Sequence, residues 1–189
     1  MKKFKIIIII CFISFLKTTN SYSLIEIDIT RGNLNPLPMA VSPLFQDKKS
    51  IKESQKELKL DDVGSEISKV IENNLKQSGL FNPLSKDSFI QKPDIAHLKP
   101  RFEDWSLIKA QALITGKVLI EKEKLKVEFR LWDVLAGREM LALAFTTVPS
   151  NWRRVGHIIT DKVYERLTGE KGYFDTRIIY VSEKGPKTQ

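Results

Sequence analysis

The sequence predicts an α+β fold in which two helices pack on one face of a mixed, largely antiparallel sheet of about five strands. Three segments between residues 112 and 148 are predicted strands, and the central one, residues 125–133, alternates apolar and polar side chains, which is typical of a half-buried strand. Two further segments, residues 61–79 and 151–169, repeat apolar residues at intervals of three and four, which is typical of amphipathic helices. The 189 residues are enough for one domain with a sizeable core.

The start of the chain has the pattern of a secretory signal peptide. Residues 1–5 are basic, residues 6–16 are mostly apolar, and the small side chain of Ser23 precedes the predicted cleavage site before Leu24. Because the apolar run is much shorter than the ~20 residues that cross a bilayer, we interpret residues 1–23 as a cleaved signal rather than a membrane anchor. No later segment predicts a membrane span, so none is expected after the signal is removed.

Removal of the signal peptide changes the cysteine content and the charge. The one cysteine, Cys11, lies in the predicted signal, and Ile10 before it does not fit a lipoprotein processing site. Half of the net charge of +8 comes from four lysines of the same segment: Lys2, Lys3, Lys5 and Lys17. The mature chain is therefore expected to have no disulfide and no thiol chemistry, and its modest, mixed charge argues against nucleic-acid binding.

The predicted mature chain begins with a segment that alternates in polarity. Its residues are Leu24, Ile25, Glu26, Ile27, Asp28, Ile29 and Thr30. This alternation predicts either an edge strand of the domain or an extended arm that pairs with another protein. Residues 37–45 are predicted to be a short strand that contains Pro38 and Pro43. Residues 46–59 are either a solvated loop or a weak surface helix.

The first helix is predicted after residue 60. Asp61 or Asp62 is its predicted N-cap, and Gly79 marks its predicted end. Its apolar stripe consists of Val63, Ile67, Val70, Ile71 and Leu75. Beyond it, residues 91–100 are predicted to be irregular and residues 102–109 to form one or two helical turns.

Three strands and a second helix complete the predicted domain. The strands are expected at residues 112–121, 125–133 and 139–148. Ser150 or Asn151 is the predicted N-cap of the helix, and Gly169 is its predicted C-terminal stop. The apolar stripe of this helix consists of Trp152, Val155, Ile159, Val163 and Leu167. Residues 173–182 are predicted to be one more strand.

Candidate catalytic residues are few. His97 and His157, the two histidines, are interpreted as surface or packing residues. The acidic residues Glu121, Glu123 and Glu128 are interpreted as a solvated face, and no glycine-rich phosphate loop is present. The sequence therefore predicts a binding module, with no catalytic residues, no metal site and no cofactor.

The remaining candidates also favour binding over catalysis. Arg153 and Arg154 begin a helix, where they are interpreted as an exposed basic edge, although they can also meet an anion or the acid of a partner. The three tryptophans, Trp105, Trp132 and Trp152, are interpreted as core anchors ahead of interface anchors.

Several stretches resemble the amino-terminal domain of the TolB family, a component of the Tol-Pal system. The resemblance is carried by Phe129–Gly137, Asn151–Asp161 and, most specifically, Tyr164–Arg177. Ile27–Gly32 and Ser78–Phe81 fit the same family in the same order. The resemblance covers nearly all of the predicted mature chain.

The resemblance implies an α+β domain, here residues 24–170, that is joined in full-length members to a β-propeller. Residues 171–189 then correspond to a linker and the first propeller strand, without the rest of the propeller. It also implies a non-enzymatic periplasmic adaptor that links TolA to the lipoprotein Pal. That system supports outer-membrane invagination during cell division and envelope integrity.

The resemblance also implies a binding site. In the family, TolA binds the first mature residues by strand pairing, and the matching residues here are Leu24–Thr30. Pal is bound mainly by the propeller, so Pal binding is not expected of this chain. The alternative function is a small basic α+β module that binds nucleic acid or an acidic surface, with steep salt dependence.

Overall fold

The computed structural model of the chain describes Ile25, Ile27 and residues 35–176, which form six strands and five helices. The strands are β1 (Leu37–Val41), β2 (Phe45–Gln46), β3 (Phe81–Pro83), β4 (Ala112–Glu121), β5 (Lys124–Asp133) and β6 (Arg138–Thr147). The helices are α1 (Lys48–Leu58), α2 (Val63–Gln77), α3 (Pro93–Ala96), α4 (Phe102–Leu107) and α5 (Trp152–Thr168). The predicted signal peptide, residues 1–23, and the part of the predicted last strand after residue 176 lie outside the described residues.

The strands form one mixed sheet in the order β3-β1-β4-β5-β6, and β2 also pairs with β4. β1 runs parallel to β3 and β4, whereas the three long strands β4, β5 and β6 are antiparallel neighbours. The β4–β5 pairing extends from Ala112 opposite Asp133 to Glu121 opposite Lys124. The predicted α+β fold with a mixed, largely antiparallel sheet is confirmed.

The main core lies between the sheet and the two long helices, α2 and α5. Val127, Phe129 and Leu131 of β5 point into it, with exposed fractions of 1% or less. Fully burying a side chain of this kind stabilises the fold by about 1.5–3 kcal/mol. The two helices touch at Gly156, where an added Cβ would lie 2.8 Å from Cγ1 of Val70. This close approach requires a residue without a side chain.

A smaller apolar cluster lies on the opposite face of the sheet, beside the short helices α3 and α4. Its buried members are Ala40, Ala96, Trp105, Ala110, Leu113 and Val134. The amide oxygen of Gln91 accepts hydrogen bonds from Trp105 Nε1 at 3.1 Å and from the Arg101 backbone N–H at 2.9 Å. Its amide nitrogen donates to the Lys99 carbonyl at 3.1 Å. Residues 91–100, predicted to be irregular, therefore contain a short helix and a polar anchor that apolar periodicity does not reveal.

Residues 46–59, predicted to be either a solvated loop or a weak surface helix, contain helix α1. Asp47 caps it, because its carboxylate accepts the Ser50 backbone N–H at 2.7 Å. The buried side chains of this helix are Ser50 and Ser54. Ser50 Oγ accepts the Ile120 backbone N–H at 3.2 Å, and Ser54 Oγ lies 2.6 Å from the Gln46 amide nitrogen. Hydrogen bonds rather than an apolar stripe anchor α1, which is why the sequence pattern was ambiguous.

The ends of the two long helices largely match the sequence prediction. Asp62 rather than Asp61 is the N-cap of α2, and its carboxylate accepts a first-turn backbone N–H at 3.0 Å. Gly79 and Gly169 have left-handed φ angles of 74° and 75°, which confirms both predicted helix stops.

One predicted strand boundary is wrong, and the predicted N-cap Asn151 has the expected position but lacks a capping hydrogen bond. The strand expected over residues 37–45 is broken around Pro43 into β1 and β2, because proline has no N–H for the sheet. At the start of α5, Asn151 makes no capping hydrogen bond; a 3₁₀ turn leads into the helix, and the Asn151 amide donates to the Thr147 hydroxyl at 3.1 Å. No helix within residues 35–176 is long and apolar enough to cross a bilayer.

Candidate partner-binding site

The predicted arm, Leu24–Thr30, is described at Ile25 and Ile27, and its other five positions lie outside the described residues. Both isoleucines are half-buried and pack against the main core. The Ile27 backbone N–H donates a hydrogen bond to the Leu167 carbonyl oxygen at 2.8 Å. Neither isoleucine belongs to the sheet, and the backbone bond of Ile27 goes to helix α5 instead.

The C-terminal end of α5 explains why the Ile27 backbone N–H binds there. The last carbonyl groups of a helix have no partner within the helix, and Leu167 is in the last turn of α5. Ile27 supplies the missing donor. One such hydrogen bond contributes only about 0.5–1.5 kcal/mol. The described contact of the arm therefore consists of one backbone hydrogen bond and two partly buried side chains. The backbone of another protein can replace such a hydrogen bond.

The chain also folds back onto α5 after the helix ends, through residues 170–176, which we call the exit segment. The Asp161 carboxylate accepts the backbone N–H groups of Phe174 at 2.7 Å and Asp175 at 3.1 Å. An added Cβ on Gly172 would lie 2.4 Å from the Asp161 Cα, so only glycine allows this approach. Asp161 thereby fixes the exit segment to the side of α5.

An ion pair adds a second attachment. The Arg154 guanidinium donates to both carboxylate oxygens of Asp175. Its Nε lies 3.0 Å from Oδ1, and its Nη2 lies 3.0 Å from Oδ2. The hydrogen bond and charge of Asp175 raise the pKa of Arg154. Arg154 is thus the member of the predicted basic edge that meets an acid, whereas the Arg153 guanidinium lies 4.8 Å from the ring centre of Trp152.

Aromatic contacts bring the exit segment into the body of the domain. The Tyr164 ring contacts Tyr173, Phe174 and Phe81 edge-on, with centroid distances of 5.5, 5.8 and 6.2 Å. Burial raises the pKa of Tyr164. Helix α5 consequently contacts both the described part of the arm, at its C-terminal end, and the exit segment, along its side.

The two histidines have packing roles, as predicted. His97 is buried and stacks on Phe45 with ring centroids 4.5 Å apart. His157 lies 2.9 Å from the Asn74 amide nitrogen through Nδ1. The same nitrogen donates to the Thr160 hydroxyl at 3.2 Å, and that hydroxyl donates to a backbone carbonyl. Asn74 is therefore a donor, and His157 Nδ1 is its acceptor.

Two of the three acidic residues of the predicted solvated face, Glu121 and Glu128, form ion pairs. Glu128 contacts Lys126 at 2.7 Å and Lys117 at 3.2 Å, and the hydrogen bond from Lys126 lowers the pKa of Glu128. Glu121 lies 3.7 Å from Lys49. Lys49, Lys117 and Lys126 are therefore paired with acidic side chains, which does not favour nucleic-acid binding by these lysines.

Sequence reasoning placed the tryptophans correctly and missed the polar attachments. Trp105 is 1% exposed, and the half-buried Trp132 donates to the Thr115 hydroxyl at 2.9 Å. Asp161 and Gln91 were not singled out, because each acts on backbone groups that only folding brings near. Within the described ranges, no three or more His, Cys, Asp or Glu side chains are placed to hold a metal ion.

The comparisons with known proteins agree with this geometry. Residues 25–140 match the family model of the TolB amino-terminal domain. The chain belongs to this family. The family identified from the motifs is thus confirmed. The TolB match ends within β6, so it includes the described arm positions and most of the sheet.

Two TolB proteins illustrate the likeness, and one further structure is matched only weakly. The chain is 78% identical over 169 residues to the Tol-Pal system protein TolB of Pelagibacter ubique (strain HTCC1062). The aligned region covers 89% of this chain but only 38% of the length of that relative. The crystal structure of TolB from Acinetobacter baumannii has a TM-score of 0.59 at 21% identity and covers 75% of this chain and 30% of that chain, which shows the shared fold. The LpoB C-terminal domain from Salmonella enterica has a TM-score of 0.41 at 12% identity, with 62% and 86% coverage.

Proposed function

We propose that this chain is a non-enzymatic, periplasmic adaptor of the Tol-Pal system that binds TolA through its mature N-terminal arm, Leu24–Thr30. Family membership and the name of the 78% identical relative support a role in that system. The observation that carries the arm assignment is the Ile27–Leu167 backbone bond outside the sheet. At the described positions, this bond and the half-buried contacts of Ile25 and Ile27 are what the arm would exchange on pairing with a partner.

Binding proceeds by strand addition. The backbone groups of the arm pair with an exposed sheet edge of TolA, and the alternate side chains select the partner. Ile25 and Ile27 exchange their contacts on the domain for contacts on TolA, and in sequence they alternate with the acidic residues Glu26 and Asp28, as a strand with two distinct faces requires. The free energy of binding is reduced by whatever holds the arm on α5, so the docked and free arms form a two-state equilibrium.

The adaptor is the processed form of the chain, with defined domain limits. Signal cleavage between Ser23 and Leu24 frees the arm, and residues 24–170 form the adaptor domain. Residues 171–189 continue into the first strand of a propeller. Pal binding is not assigned to these residues. The biological outcome is support of outer-membrane invagination during division and of envelope integrity.

The test uses processed chain, residues 24–189, and the C-terminal domain of TolA in a calorimetric titration. We expect binding that is lost when residues 24–30 are deleted and weakened strongly by Ile27→Pro, which removes a backbone donor. Leu107→Ala is the matched control, because this side chain is 75% exposed and distant from the arm in sequence. Binding that survives the deletion would contradict the arm mechanism. Recovery of uncleaved chain from the cytoplasm alone would contradict the periplasmic assignment, and salt-sensitive binding to nucleic acid would favour the alternative function.

A further inference from the structure

Helix α1 has a positively charged outer side. Its lysines follow one another at intervals that keep them on a single side, which we call the lysine stripe: Lys48, Lys49, Lys52 and Lys56. Because successive residues of an α-helix are about 100° apart, these four lie within about 100° of its circumference. All four are exposed, and the buried side chains Ser50 and Ser54 lie on the opposite side. The stripe therefore points away from the domain, and no apolar residue lies within it.

The lysine stripe does not stabilise the helix that carries it. Lys48 with Lys52 and Lys52 with Lys56 are like-charge pairs four residues apart, which destabilise a helix. Lys48 and Lys49 also begin the helix, where the positive end of the helix dipole favours acidic side chains, and the first turn of α1 has none. Helix α1 is attached by the hydrogen bonds of its buried serines instead. The fold thus gives no reason for the stripe, and a negatively charged ligand outside the domain would supply one.

Neighbouring acids neutralise the lysine stripe only in part. Lys56 lies 3.9 Å from Glu57, and Lys49 lies 3.7 Å from Glu121. Both contacts join solvent-exposed side chains, and ion pairs of that kind contribute little. In the part of the chain that the structure describes, Lys48 and Lys52 have no ion pair with an acid. The stripe therefore presents an excess of positive charge to water over the ~12 Å between its two ends.

The surroundings of the stripe limit what it can bind. The Lys49–Glu121 contact places the β4–β5 turn beside the first turn of α1, and this turn, residues 121–124, has two acids and two lysines. Positive charge is therefore concentrated on α1, whose outer side is convex. A convex row of flexible ammonium groups suits many anionic groups that are spread over a plane. A folded acidic partner would require complementary shape and apolar contacts, and the stripe offers no apolar side chain.

We propose that the lysine stripe binds the surface of a bilayer that contains anionic phospholipids, with α1 lying along the headgroups. Lysines near such a surface are attracted to the headgroup phosphates, and the attraction falls off within a Debye length. Because the stripe inserts no apolar side chain, the contact is weak, reversible and dependent on salt. It uses neither the arm nor the exit segment, which both contact α5. This inference is therefore separate from the binding of TolA.

The test is sedimentation of the processed chain, residues 24–189, with sucrose-loaded vesicles. We expect binding to vesicles of equal parts phosphatidylcholine and phosphatidylglycerol, release of that binding at high salt, and no binding to phosphatidylcholine alone. Lys48→Gln, Lys52→Gln and Lys56→Gln together should lower the partition coefficient by at least about tenfold, since each lysine near such a surface contributes about fivefold. Lys48→Arg, Lys52→Arg and Lys56→Arg together keep the charge and should preserve binding.

A matched control separates this effect from a general loss of charge. Lys92→Gln, Lys99→Gln and Lys109→Gln together remove the same number of charges from exposed lysines outside α1, and this variant should bind nearly as well as the wild type. Circular dichroism shows that each variant is folded. Deletion of residues 24–30 should leave vesicle binding unchanged, although it is expected to abolish the binding of TolA.

A wild type that does not bind the anionic vesicles, or equal losses from the stripe variant and its control, would overturn the proposal. Displacement from the vesicles by inorganic phosphate at matched ionic strength would also overturn it, because it would indicate a site for a single phosphate. Binding of a single-stranded DNA oligonucleotide as tightly as the vesicles, lost in the stripe variant, would assign the stripe to nucleic acid instead. Loss of vesicle binding on deletion of residues 24–30 would assign the bilayer contact to the arm.

Discussion

The two faces of the sheet are stabilised in different ways. On the helix side, apolar side chains of β4 and β5 meet the stripes of α2 and α5 in one continuous core. On the other side, a small cluster around Trp105 depends on the hydrogen bonds of Gln91 and on short helices. The comparison teaches that burial supplies most of the stability on one face, while polar geometry sets the structure on the other.

The largest effect is expected in the helix-side core. Phe129→Ala removes a side chain that is 1% exposed and leaves a cavity, so we expect a loss of about 3–5 kcal/mol in the free energy of unfolding. Urea denaturation followed by circular dichroism measures it. The control Leu107→Ala, on the other face and 75% exposed, should change stability by less than about 0.5 kcal/mol. Equal losses from both variants would contradict the comparison.

The contact between the two long helices gives the next effect. Gly156→Ala places a Cβ 2.8 Å from Cγ1 of Val70, and overpacking of this kind costs about 1–3 kcal/mol. Val70→Ala in the same chain should recover part of that loss, because it removes the atoms that clash. Thermal unfolding of both single variants and the double variant measures the coupling. Strictly additive losses would show that the two helices are not in contact at this point.

On the opposite face, the polar anchor is the sensitive position. Gln91→Leu leaves the Trp105 indole N–H and a backbone N–H without their acceptor, for an expected loss of about 1–2 kcal/mol. The change should shift the Trp105 fluorescence and speed amide exchange in residues 91–107. Exchange in α2 and α5 should remain slow. Uniform acceleration through both faces would mean that the two layers unfold as one unit.

The smallest effect concerns the ion pairs that Glu128 makes with Lys126 and Lys117. The pKa of Glu128 is lower in the folded chain than its ordinary value of 4.5, chiefly because of the hydrogen bond from Lys126. Its stabilising contribution is therefore present above that value and is lost as the pH falls below it. The group is only partly buried, so we expect less than about 0.5 kcal/mol. Glu128→Gln should flatten the acid limb of the stability profile, and Glu123→Gln serves as control; identical profiles would contradict the assignment.

The sequence by itself determined the elements whose apolar period is local. The alternation in β5 and the stripes of α2 and α5 each reflect contact with a single core, so a run of ten to seventeen residues contains the whole signal. Family motifs added the resemblance to the TolB amino-terminal domain. The described arm positions, Ile25 and Ile27, were named from the same alternation.

Only the tertiary structure decided the contacts between distant polar groups. Asp161 with Phe174, Gln91 with Trp105, and Ser50 with Ile120 join positions that no period relates. Each depends on the direction of a side chain and on a backbone group that folding delivers, so composition and spacing contain no trace of it. Burial repeats along a helix or strand and can be read from the sequence, whereas a single buried hydrogen bond occurs once and becomes visible when the chain has folded.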